Sequence, residues 1–99
     1  MKLYLLEKLS EINYRMSVHQ GVANKRLASE AKKLLLIPLR EIPDKYLGDF
    51  KDLLEKVDNT IRGQNNSGLT PVRISGIKNV TASKYIKLLI DIEGYLKEN

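Results

Sequence analysis

The sequence predicts an all-α protein: a small bundle of three helices with a long N-terminal helix, or four helices if that first segment turns near Gly21. Three observations carry this prediction. Apolar residues recur at spacings of three and four through most of the chain, which is the helical period. The prolines at 38, 43 and 71 fall between the periodic stretches rather than inside them. Only Val72-Arg73-Ile74-Ser75-Gly76 alternates apolar with polar, and one short extended piece without a partner does not make a sheet.

The first thirty-six residues place Leu5, Leu9, Ile12, Met16, Ala23, Leu27, Ala31 and Leu34 on one stripe, at spacings of 4, 3, 4, 7, 4, 4 and 3. The phase carries across Gln20-Gly21, where Gln20 takes the vacant stripe position. This favours one helix over about 3–36, because an interior glycine costs only ~1 kcal/mol relative to alanine. The alternative is a hairpin turning at His19-Gln20-Gly21. Pro38 ends the segment, since a residue before proline avoids the α region.

A second helix is expected over 43–62. Pro43 suits its first turn, Asp44 complements the positive end of its dipole, and Gly63 is a natural C-cap. Tyr46, Leu47, Phe50, Leu53, Leu54, Val57 and Ile61 form its apolar face. A polar loop over 63–71 follows, and the last helix runs over 81–97, capped by Thr81 or Ser83 with Val80 packing back on its first turns. Tyr85, Ile86, Leu88, Leu89, Ile90, Ile92, Tyr95 and Leu96 cover much of its circumference, so it should be the most buried helix or should also meet a partner. Gly94 would let a neighbour approach closely. The whole of 1–99 reads as a single helical domain.

Composition excludes several functions. With no cysteine there is no disulfide, thiol nucleophile or Cys-based metal site. His19 is the only histidine, and its neighbours Val18 and Gln20 offer no triad or zinc partner. Asp49, Asp52, Glu55 and Asp58 recur on the middle helix, but Lys45, Lys51 and Lys56 stand at i,i+4 to three of the acids, Asp49, Glu55 and Asp52. A self-neutralised solvated face accounts for them. No phosphate-cradling motif occurs, and no catalytic, metal or cofactor site is expected. The opening residues lack a signal-peptide pattern and no apolar run is long enough to span a membrane, so the expected location is cytoplasmic.

The formal charge of +5 is uneven: +4 over residues 1–37, −1 over 38–62 and +2 over 63–99. Two readings of function follow. The first is a non-enzymatic protein-interaction module, self-associating as a homodimer or binding another protein, of the small accessory, regulatory or inhibitory type found in bacteria and phages. It rests on surplus apolar surface: a 34-residue helix would be about 51 Å long, longer than the other two helices can cover. Leu5, Leu9, Ile12, Met16, Ala23 and Leu27 would be its contact residues. The second is a nucleic-acid-binding accessory protein that uses Arg15, Lys25, Arg26, Lys32, Lys33, Arg73, Lys78, Lys84 and Lys87 on basic helix faces.

Overall fold

The computed structural model describes residues 2–65 and 78–98. The segment 72–76, the end of the expected loop and Arg73 lie outside the described residues. Among the described residues, five helices run in the order α1 (Lys2–Val18), α2 (Ala23–Ser29), α3 (Ala31–Leu35), α4 (Asp44–Asn65) and α5 (Asn79–Glu98), with a 3-10 turn at Leu39–Glu41. There is no strand among the described residues. The all-α bundle is the predicted class, in its four-helix form, with α2 and α3 together making the fourth arm.

The long N-terminal helix is not formed. The chain leaves α1 at Val18, turns through His19–Val22 and folds back. Several bonds hold that turn. The Gly21 N–H donates to His19 Nδ1 at 2.8 Å, and the Arg26 Nε–H donates to the Gly21 carbonyl at 2.8 Å. Val22, extended at φ −70°, ψ 169°, then accepts from the Lys25 and Arg26 amides to start α2. The shared phase of the two halves was no guide here. Its one gap of seven residues, between Met16 and Ala23, coincides with the turn, and two separate amphipathic helices satisfy the same pattern. Glu30, at φ −108°, ψ 6°, makes a second, milder break between α2 and α3.

The reversal encloses the apolar stripe. Leu5, Leu9, Leu27, Ala31 and Leu34 have no exposed surface, and Ile12 and Met16 almost none. They meet Phe50, Leu53 and Val57 of α4 and Ala82, Tyr85, Leu89, Ile92 and Leu96 of α5 in one core. Burying each Leu or Phe contributes about 1.5–3 kcal/mol. The α4 face matches the expected one wherever its side chains are described, with Tyr46, Leu47 and Leu54 half-buried around Phe50 and Leu53. α4 runs past Gly63 to Asn65, so Gly63 is not its C-cap. An interior glycine of modest cost is carried by the helix around it.

α5 packs against α1, α2 and α4 and is the central helix. It begins at Asn79, earlier than expected, and the Asn79 side-chain oxygen accepts the Asn24 amide, tying its start to α2. Val80 does not pack back; it is 83 % exposed. Nothing approaches the Gly94 position within 4 Å, so that glycine serves no close contact in this fold. A buried polar seam joins α1 to α5. Asn13 donates to the Leu89 carbonyl (3.1 Å) and to Glu93 (2.8 Å), while Ser10 donates to Glu93 (2.9 Å). The pairing of 10 with 93 and 13 with 89 makes the two helices antiparallel. Lys97 closes the seam on Glu93 at 3.0 Å.

Candidate functional site

Folding the first segment back creates a groove that a continuous helix would not have. One wall is α1 and the other is α3 with the chain that follows it, and the groove measures about 390 Å³. Leu5, Ile12 and Ile37 form its buried floor, and Tyr4, Leu36 and Pro38 its apolar sides. Leu36 is 79 % exposed and Tyr4 50 %. The cause is local. Leu34-Leu35-Leu36-Ile37 is a run of four aliphatics, and α3 ends at Leu35 because Pro38 follows. Leu34 and Ile37 turn inward, so Leu36 is left pointing at water.

The polar rim consists of Lys8, Glu11, Arg15 and Lys33. Lys8 lies 5.5 Å from the Tyr4 ring centroid and 3.8 Å from Glu11. Arg15 is anchored across the hairpin to Glu30 by three short contacts: Nε to Oε1 at 3.0 Å, Nε to Oε2 at 3.1 Å and Nη2 to Oε1 at 2.9 Å. The hydrogen bonds that Arg15 donates to Glu30, and the Glu30 charge, raise the Arg15 pKa against the opposing effect of burial. The Glu30 side chain is only 5 % exposed, so this ion pair is one-sided: the acid is inside and the guanidinium partly in water.

A second, acidic surface lies where α4 meets α5. Asp49, Asp52 and Asp91 surround Lys84, Lys87 and the edge of Tyr85. Lys87 pairs with Asp91 at 3.3 Å. Burial, followed by the charges of Asp52, Asp49 and Glu55, raises the Tyr85 pKa, which keeps the phenol protonated. Among the described residues, no group of three or more His, Asp or Glu stands close enough to hold a metal ion, and no helix is long and apolar enough to cross a membrane.

The residues expected to act are therefore rearranged. Of the six expected self-association residues, Leu5, Leu9, Ile12, Met16 and Leu27 are core and Ala23 packs half-buried against it. None forms an open apolar face, and the surplus that motivated self-association is absorbed within one copy. Arg73 lies outside the described residues, and the other eight expected basic residues do not form one face. Arg15 is bound to Glu30, Arg26 braces the turn, and Lys84 and Lys87 sit among acids. Lys25, Lys32, Lys33 and Lys78 are exposed. His19 holds the turn by accepting the Gly21 N–H on Nδ1. Tyr46 and Tyr95 meet edge to face at 5.7 Å with Lys45 above both rings. Sequence reasoning missed Tyr4, Leu36, Glu30 and the groove itself. The one available signal was the four-aliphatic run before Pro38, which no single helix face can bury whole. No protein-family model matches the chain, and neither the curated proteins nor the solved structures contain a match to it.

Proposed function

We propose that this chain is a non-enzymatic protein-interaction module that engages its partner through the groove between α1 and α3. The observation that carries the reading is Leu36, 79 % exposed beside a floor of Leu5, Ile12 and Ile37. A large aliphatic held in water next to a concave apolar surface gains about 25 cal/mol for each Å² that a partner covers, and interaction sites are where such patches concentrate. Self-association through the apolar stripe loses its motive, because that stripe is internal. A second copy remains one of the partners to be distinguished.

The experiment places a photocrosslinking residue at Leu36 in one preparation and at Val80 in another, each in the cell that makes the protein. A discrete protein adduct from position 36 and none from 80 supports the reading. A nuclease-sensitive product would favour nucleic acid, for which the exposed Lys25, Lys32 and Lys33, without ion pairs among the described residues, are the supporting feature. An absence of adducts at both positions, or equal smears, would remove the groove as the docking site.

A further inference from the structure

We infer that the groove takes an acidic amphipathic helix of another protein; this rests on the groove being the docking surface. Shape is the first argument. The lining along α1 runs from Tyr4 to Arg15, eleven steps or about 16 Å of helix at 1.5 Å each. That is about three turns of a partner helix, enough for apolar anchors at i, i+4 and i+7. The apolar surface does not end at the mouth: Leu36 and Tyr4 stand out of it and need covering. A small molecule filling the floor would leave both in water.

Charge is the second argument. The lining holds three cations, Lys8, Arg15 and Lys33, and one acid, Glu11, which pairs with Lys8 at 3.8 Å in an exposed, screened contact. Glu30 offsets Arg15 from beneath, buried where it presents no surface to a ligand. Lys33 is exposed and has no ion pair among the described residues. Carboxylates flanking the apolar anchors of a partner helix meet this rim, and such complementarity sets partner choice and encounter rate. A second copy docking groove to groove on a two-fold axis would bring a rim of three cations and one acid against an identical rim. A nucleic-acid backbone would satisfy the cations but leave Leu36 and the floor without apolar cover.

The test uses the full chain, labelled with ¹⁵N, and two synthetic helical peptides. Both carry Leu at i, i+4 and i+7; one has Glu on its flanks and its twin has Lys. The Glu peptide is expected to shift the amide resonances of Ile12, Lys33 and Leu36, and to bind at least about tenfold more tightly than the twin, a difference of about 1.4 kcal/mol. Leu36→Ser should weaken it, and Lys8→Glu with Lys33→Glu should invert the preference. If the Lys twin binds equally well or better at the same resonances, the acidic assignment is overturned while the groove stays a protein site. If a duplex oligonucleotide moves those resonances and the peptides do not, or if they move with protein concentration alone, the partner class is wrong. If no probe moves them, the acidic helix is refuted, and the crosslinking from position 36 decides the broader reading separately.

Discussion

Removing either partner of the Arg15–Glu30 pair should have unequal effects, and their coupling reports the hairpin. Arg15→Met leaves the Glu30 carboxylate 5 % exposed and without its three contacts. Stripping the partner from a fully buried charge costs about 3–5 kcal/mol. Because the Arg15 side chain is 37 % exposed, solvent already screens the pair, so about 2 kcal/mol is the expected loss. Glu30→Gln keeps the volume and leaves a guanidinium that can turn to water, so its expected cost is about 1 kcal/mol. The double variant should cost less than the sum of the two, by about 1 kcal/mol or more. The assay is urea unfolding followed by circular dichroism for all four proteins, with slopes compared to confirm a common transition. In a continuous helix these residues would be about 22 Å apart and their effects would add. Additivity within about 0.5 kcal/mol, or a larger loss from Glu30→Gln than from Arg15→Met, would refute the reasoning.

Four further outcomes are expected. Gly21→Ala would bring a methyl within 2.8 Å of His19 Cε1 and 3.2 Å of Lys25 Cβ. Displacing the ring forfeits a bond worth about 1 kcal/mol, so thermal denaturation should show no gain, whereas a continuous helix would gain about 1 kcal/mol. Burial raises the Glu93 pKa, but hydrogen bonds from Asn13, Lys97 and Ser10 and the Lys97 charge outweigh it, so the pKa is lowered from its ordinary value of 4.5. A lowered carboxylate contributes stability that is present above its unfolded pKa and lost as pH falls through the folded one. Acid titration of stability should therefore steepen below pH 4.5, and Glu93→Gln should flatten that limb; an unchanged profile in the variant would count against the seam. Leu89→Ala, at 0 % exposure, should cost about 2.7–5 kcal/mol. Leu36→Ser should change stability by no more than about 0.5 kcal/mol, and a large loss there would mean Leu36 is not free.

The sequence disclosed most about the middle helix and least about the site. Phe50, Leu53 and Val57 alternate with charges that have nowhere to go but water, so one face of α4 could be assigned outright. The sequence leaves the reversal at His19 as an alternative rather than the favoured reading, because Leu27, Ala31 and Leu34 repeat the spacing of Leu5, Leu9, Ile12 and Met16. Periodicity states which face is buried, not whether two faces belong to one rod. Nothing local marks Glu30 as buried, because its partner lies fifteen residues away and meets it only after the turn. Leu36 is one of four consecutive aliphatics, and nothing local singles it out. Its exposure depends on where Pro38 stops the helix and which neighbours reach the core first, and that is a tertiary outcome.

The groove exists only if α1 and α3 lie side by side. With no native cysteine, spin labels can be placed at Glu11→Cys and Lys33→Cys alone, both on the groove rim. In one unbroken helix these sites would stand about 33 Å apart. Pulsed dipolar spectroscopy should instead give a distance well short of that, as for two walls of one cleft. A distribution centred near the unbroken-helix value would contradict the fold-back, and with it the groove and the partner assigned to it.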